Sequence, residues 1–167
     1  KTKVPGSDDL VDITFNIKER QSGEFKVSAG WSDTDGAIFD IKLQQDNFLG
    51  GGKNVGVIAS KNSVSSTLRF IFTDPYYSPD GISRSTNFSL TQTDVSSTST
   101  ATYVADTFGG GVFYLAPISE YESFGIGYDL TFTDFTTTIG SPIIVTHHIA
   151  DHGKRAIGIN LNGQYIY

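Results

Sequence analysis

The segment "HHIADH" combines the residue types best suited to hold a metal ion, because it places His147, His148 and His152 beside Asp151. Imidazole nitrogens and carboxylate oxygens are zinc ligands when the fold fixes them in a tetrahedral arrangement. The surrounding stretch, from about Thr136 to Arg155, is predicted to be a long loop that fixes no such geometry. We therefore interpret the segment as a solvated loop and predict no metal site.

Other residue types with catalytic potential are not placed to work together. Asp129 and Asp134 fall on opposite faces of one predicted strand, so they do not form a carboxylate pair. The glycine cluster of "FGGGV" (Phe108–Val112) is followed by no helix and no Lys-Ser/Thr, which argues against a phosphate-binding loop. All three histidines lie in one predicted loop, which disfavours the Ser/His rim of a lipid-modifying barrel enzyme. We predict that the protein is not an enzyme and has no cofactor.

The elements that carry these residues are predicted strands, and no amphipathic helix is predicted. In "YESFGIGYDLTFTD" large apolar residues alternate with small or polar ones, so the two faces of a strand there differ. The Gly109–Gly111 cluster within one strand permits a bend or a close approach. Similar alternation predicts one leading strand, Val11 to Glu19, and about eight more, which contain Phe25–Trp31, Phe39–Leu43, Val55–Ala59, Leu68–Phe72, Phe88–Leu90, Tyr103–Leu115, Phe124–Phe132 and Ile157–Leu161.

Composition narrows the class of protein. The 167 residues are 18% charged and 13% aromatic, with no cysteine and a net charge of −6. Absence of cysteine excludes disulfides, and absence of Lys/Arg clusters argues against nucleic acid as a partner. No apolar run reaches the ~18–20 residues of a membrane-spanning helix. The N-terminus has no Met and no signal peptide, so the sequence is expected to be a processed or excised piece.

The alternation allows two fold classes, a soluble β-sandwich or a membrane β-barrel. The apolar faces are rich in large residues on strand after strand, and the chain carries less charge than a sandwich surface usually shows. The turns "NFLGGGKN", "DPYYSPDG" and "APISEY" also differ from the Ser/Thr/Asp-rich loops between them. The pattern therefore favours a barrel whose apolar face meets lipid and whose polar face meets a wet interior.

Four stretches resemble one family, the BamA-type outer-membrane β-barrel assembly factors. Their order and spacing match the family across about Val4–Tyr128, whereas the last ~40 residues resemble it poorly. The matching stretches are "VPGSDDLVDITFNIKERQSGEF" (Val4–Phe25), "LQQDNFLGGGKNVGV" (Leu43–Val57), "FTDPYYSPDGISRS" (Phe72–Ser85) and "APISEYESFGIGY" (Ala116–Tyr128).

The resemblance implies an all-β fold, an antiparallel transmembrane β-barrel fragment of about eight strands. Residues 1–22 would be the end of the last POTRA domain or a linker, and residues 23–167 the N-terminal half of the barrel. The family's barrel has sixteen strands, so this half is expected to close as a small barrel, pair with a second copy, or stay an open sheet that needs a partner.

The function that the resemblance implies is a scaffold that assembles and inserts other barrel proteins in the bacterial outer membrane. The first barrel strand would form a seam that opens and pairs with a client strand through its free backbone groups. The implied partners are outer-membrane lipids, unfolded outer-membrane protein clients and accessory lipoproteins of the assembly machinery. The seam residues are Glu24, Phe25, Lys26, Val27, Ser28, Ala29, Gly30, Trp31 and Ser32.

Aromatic residues in the turns are expected at the membrane boundary. Phe48, Tyr76 and Tyr77 are predicted to form a periplasmic aromatic rim, and Trp31 either joins an aromatic girdle or packs against lipid. The alternative function is a passive small outer-membrane barrel with a structural or adhesive role.

Overall fold

The computed structural model describes residues 2–3, 11–16, 21–33, 36–94, 103–137, 141 and 143–167. Two strands of two residues each, β1 and β2, pair with one another ahead of a larger sheet. The elements are β1 Thr2–Lys3, β2 Val11–Asp12, β3 Gly23–Ser32, β4 Gly36–Phe48, β5 Lys53–Lys61, β6 Ser65–Asp74, β7 Ser83–Asp94, β8 Tyr103–Pro117, β9 Ser123–Thr137, α1 Ile143–His152 and β10 Arg155–Ile166.

Strands β3 to β10 form one antiparallel sheet in which each strand pairs with its neighbour in sequence. The sheet is open, and β3 and β10 are its two edges. Because the strands run up and down in order, alternate connections lie at the same end of the sheet. The end with the β4–β5, β6–β7 and β8–β9 connections is called here the turn end. The predicted all-β class with about eight antiparallel strands is confirmed.

The pairing register places most of the large apolar residues of the sheet on one face. We call this the apolar face and the opposite one the polar face. One row across the apolar face joins Phe25, Leu43, Val57, Phe70, Phe88, Gly110, Leu130 and Ile159. Asp129 lies on the polar face and Asp134 on the apolar face of β9, as the alternation predicts. Strand β8 pairs without interruption through Gly109–Gly111, so these glycines do not break the pairing register.

The large side chains of the sheet have no packed core. Among the described residues, Ala105 is the one buried hydrophobic side chain, whereas Phe25 is 66% exposed and Leu161 is 83% exposed. Within the described ranges no second sheet covers the apolar face. An exposed apolar surface of this extent needs a non-aqueous medium or a partner. The soluble sandwich is therefore not the fold.

The predicted leading strand, Val11 to Glu19, is wrong over much of its length. Only Val11 and Asp12 are in a strand, residues 13–16 have no regular structure, and residues 17–19 lie outside the described part of the chain. Phe15 is 80% exposed. Alternation alone does not make a strand, because a strand also needs a partner that accepts its backbone hydrogen bonds.

The predicted long loop from Thr136 to Arg155 is also wrong, since it contains helix α1. The helix ends at His152, and the next residue, Gly153, has a φ of 87° and donates its N–H to the carbonyl of Ile149 at 2.9 Å. This left-handed glycine is a common way to end a helix. Within the described ranges, no helical segment has both the length and the hydropathy of a membrane-spanning helix.

Candidate functional site: two faces and two edges of one sheet

The apolar face forms a belt between two polar rows. On β6 the belt extends from Ser66 to Asp74, which is about 27 Å of extended strand. A strand tilted by about 40° converts this length into about 21 Å of height, somewhat less than the apolar band of about 25 Å that is typical of outer-membrane barrels. The belt is therefore short for a sheet that faces lipid.

The polar row farther from the turn end contains two directly opposed carboxylates, Asp106 and Asp134. Each has its own partner from a neighbouring strand. Gln92 Nε2 donates to Asp106 Oδ1 at 2.9 Å, and Arg155 Nε donates to Asp134 Oδ1 at 2.8 Å. The partners offset the repulsion expected between like charges that face each other across two strands.

The predicted rim residues Phe48, Tyr76 and Tyr77 all lie at the turn end. Phe48 ends β4 and Tyr76 is 80% exposed. Among the described residues, Tyr77 is the one of these three that contacts another aromatic ring, since its centroid is 5.9 Å from that of Tyr114. The Arg84 guanidinium carbon lies 4.1 Å from the Tyr77 centroid. Sequence reasoning did not identify Arg84 or Tyr114, and the rim role of the three predicted residues stays a prediction.

The predicted seam residues Glu24–Ser32 lie on edge strand β3, which pairs only with β4 in the described sheet. Their odd-numbered members are on the apolar face and their even-numbered members on the polar face. Glu24 lies between two lysines, 2.7 Å from Lys26 Nζ and 3.6 Å from Lys42 Nζ. Ser28 Oγ donates to Asp40 Oδ2 at 3.4 Å. The ion pair between Glu24 and Lys42 and the hydrogen bond between Ser28 and Asp40, which join β3 to β4, are exposed, and exposed ion pairs add little stability.

The backbone of β3 presents hydrogen-bonding groups to its free side. The amide of Asp46 donates to the Ser22 carbonyl at 2.7 Å, which makes these opposed residues a hydrogen-bonded pair. Because such pairs alternate along antiparallel strands, even-numbered residues of β3 turn their N–H and C=O groups toward β4. The N–H and C=O groups of Phe25, Val27, Ala29 and Trp31 therefore point to the free side. An edge of this kind is able to add another strand.

The polar face carries a row of six hydroxyl groups and one carboxylate across seven strands. In this row Ser60 Oγ donates to Asp40 Oδ1 at 2.5 Å. Thr hydroxyls also pair between neighbouring strands, with oxygens 3.2 Å apart for Thr67 and Thr91. Such pairs help to fix the register of strands. The row contains Ser28, Asp40, Ser60, Thr67, Thr91, Thr107 and Thr133.

A hydrogen-bonded bridge on the polar face links β7, β9 and β10. Asn87 Nδ2 donates to Asp129 Oδ1 at 3.0 Å, and Asn162 Nδ2 donates to Asp129 Oδ2 at 2.6 Å. The intervening residue of β8 is Gly111, where a Cβ atom would overlap the Asp129 carboxylate. The bridge crosses β8 because this position has no side chain.

Phe113 covers glycines in the same region of the polar face. Cβ atoms built at Gly125 and Gly127 would both collide with its ring. These two glycines are buried, as are Gly109 and Gly111. Crowding on this face and the bridge over Gly111 indicate that the polar face is the concave side of the sheet. Sequence reasoning identified the Gly109–Gly111 cluster, but it did not identify the side chains, such as Asp129 and Phe113, that occupy the space above the glycines of this face.

The histidine segment lies in helix α1 and not in a loop. His147 Nδ1 is 2.8 Å from Asp151 Oδ2, one turn farther along the helix. The side chains of His148 and His152 are outside the described part of the structure. The interpretation of this segment as one without a metal site stays a prediction.

Comparisons with known proteins agree with this geometry. The family model described as the Omp85 superfamily domain matches residues 47–156. The chain is 30% identical over 153 residues to the outer membrane protein assembly factor BamA of Neisseria meningitidis serogroup B, which covers 90% of this chain and 19% of the relative. It is 24% identical over 120 residues to BamA of Buchnera aphidicola subsp. Acyrthosiphon pisum, with 71% of this chain and 19% of the relative covered.

A similar solved structure is the crystal structure of BamA from Haemophilus ducreyi lacking POTRA domains 1–3. The TM-score is 0.75 at 25% identity, and the match covers 97% of this chain and 32% of that chain. The chain therefore spans about a fifth of the length of the curated relatives it matches.

Proposed function

The chain belongs to the Omp85 superfamily, and on this premise we propose that it is part of a bacterial outer-membrane protein assembly and insertion factor. The relatives that it resembles are named outer membrane protein assembly factors. The predicted BamA-type resemblance and the predicted outer-membrane location agree with them. The observation that carries the proposal is the match of nearly the whole open sheet to a BamA barrel region.

We assign residues 23–167 to the N-terminal half of a transmembrane barrel and residues 1–22 to the end of a POTRA domain or a linker. Strand β3 begins at Gly23, which supports this boundary. The two unpaired edges, β3 and β10, are where the remainder of a barrel would pair. A second copy of the chain is the other partner that the geometry accepts.

The mechanism that we propose is addition of a client strand to the free side of β3. Backbone groups of alternate β3 residues supply the hydrogen bonds, so that clients of different sequence are accepted. Gly30 has no atom within 4 Å of a Cβ built on it, and Gly30 and Ala29 offer little side-chain contact to a neighbour. Weak side-chain pairing favours a seam that opens and closes.

The proposed function requires the protein to bind and template client strands, and it includes no step in which a covalent bond is made or broken. The partners are outer-membrane lipids on the apolar face, unfolded outer-membrane protein clients at β3 and the accessory lipoproteins of the assembly machinery.

Site-specific cross-linking tests the proposed seam. Cysteines placed one at a time at Phe25, Val27 and Ala29 of the full-length protein are expected to form disulfides with cysteines in the terminal strand of a stalled client. Cysteines at Val57 and Phe70, on interior strands of the same face, serve as matched controls and are expected to form none. The readout is the cross-linked product on a denaturing gel.

Equal cross-linking at β3 and at the interior strands would contradict a seam. A protein that assembles no client in proteoliposomes, yet migrates as a folded barrel before heating, would support the passive structural or adhesive barrel instead.

A further inference from the structure

We propose that a cluster of Lys53, Asp74, Tyr77, Arg84 and Tyr114 binds the phosphate group of a phospholipid at the turn end of the sheet. The proposal rests on the location of the sheet in a membrane and on no step of client assembly. The cluster lies on the apolar face, at the polar row where the belt ends. Lipid phosphates lie at this depth, next to the last apolar residues of a barrel.

Arg84 is the central residue of the cluster. It lies directly opposite Asp74 on the neighbouring strand, but within the described part of the chain it makes no ion pair. Its Nε is buried and has no hydrogen-bond partner. The two terminal nitrogens of the guanidinium make no hydrogen bond to a described residue and are not enclosed by the protein. They are therefore available to an external acceptor.

Tyrosine rings hold Arg84 in place. The Arg84 guanidinium carbon stacks 4.1 Å from the centroid of Tyr77, whose ring in turn contacts Tyr114 at 5.9 Å. The turn that carries Tyr77 folds toward the end of β8. A Cβ atom built at Gly81, in this turn, would lie 3.5 Å from Pro117, the last residue of β8. A guanidinium fixed by stacking loses less conformational entropy when it binds a phosphate.

Charge favours an anion at the cluster. Asp74 is already engaged by Lys53, whose Nζ is 3.6 Å from Asp74 Oδ2, and the Asp74 side chain is only 15% exposed. The cluster has two cations and one carboxylate, so one positive charge is left over. Planar guanidinium nitrogens match phosphate oxygens in geometry and charge.

Arg69 supplies the matched comparison. It is an exposed arginine on β6, one strand from Arg84, but it lies on the polar face. Within the described residues it also makes no ion pair or hydrogen bond. If charge alone attracted lipid, both arginines would contribute, whereas the proposed site requires only Arg84.

The test measures lipid retained by the full-length protein in detergent, with phosphatidylglycerol as the probe and native mass spectrometry as the readout. Arg84→Gln is expected to lower lipid affinity roughly tenfold, the effect of losing a charge-assisted hydrogen bond. Arg69→Gln is expected to leave affinity unchanged. Equal losses in the two variants, or no loss in Arg84→Gln, would overturn the proposal.

Two variants of Tyr77 provide a second test of the site. Tyr77→Leu retains the guanidinium but removes its support, so it is expected to weaken lipid binding, whereas Tyr77→Phe is expected to retain it. These variants decide the matter if Arg84→Gln does not fold, as judged by migration before heating.

Displacement of the lipid by an equal concentration of inorganic phosphate would show a site for free phosphate and overturn the lipid assignment. Client assembly is scored separately, so the two proposals fail independently.

Discussion

Replacing Gly111 by alanine is expected to lower the free energy of unfolding by roughly 2 kcal/mol, a typical cost of overpacking. The new Cβ atom would overlap the Asp129 carboxylate and lie 2.6 Å from the Tyr128 carbonyl oxygen. Asp129 would have to release Asn87, Asn162 or both, and the backbone contact would persist. The measurement is the urea dependence of unfolding of the full-length protein in detergent micelles.

Gly30→Ala is the matched control for Gly111→Ala. Gly30 also lies on the polar face, but no atom comes within 4 Å of its Cβ position. Its replacement is expected to change the free energy of unfolding by less than about 0.5 kcal/mol. The bridge over Gly111 would have no role in holding the sheet if both alanine variants unfolded at the same urea concentration.

Replacing Ala29 by proline is expected to abolish client assembly while leaving the barrel folded. Proline removes an N–H group, and the register of β3 directs the Ala29 N–H to the free side of the strand. Proline is tolerated on an edge strand when the missing N–H is not part of the existing ladder. The measurements are the rate of client folding in proteoliposomes and migration of the barrel before heating.

Two control variants are needed to interpret the result for Ala29→Pro. Ala29→Ser keeps both the N–H group and a small side chain, so it is expected to assemble clients at a rate close to that of the original protein. Ser28→Pro removes an N–H that is directed to β4, so it is expected to disturb the sheet itself. Client folding at the original rate by Ala29→Pro would rule out pairing through the free side of β3.

The strands of the sheet were predictable because alternation records which side of a strand meets an apolar medium. Each large apolar residue of "FGIGYDLTF" lies on the apolar face of β9, where the period of two places it. The same signal failed for Ile13 and Phe15, because no paired strand is described there. Helix α1 was missed because its polar and apolar residues show little helical periodicity, and only its capping glycine, Gly153, marks an end.

The candidate site was only partly predictable. Resemblance drew attention to Glu24–Ser32, but which of their amide groups are free depends on the β3–β4 register. Nothing local to Asn87, Asp129 and Asn162 shows that they meet, since they belong to three different strands. Arg84 and Tyr77 meet only because the β6–β7 turn folds back over the end of the sheet.

By itself, the sequence determined the class of the protein. A period of two in large apolar residues specifies two-faced strands, because each residue's side is set by its position along the strand. Low charge favours a barrel over a sandwich. Only the tertiary structure decided which positions share a row, that the sheet stays open at β3 and β10, and which side chains occupy the space above each glycine. These features depend on contacts between distant strands, and such contacts are fixed by pairing register and curvature.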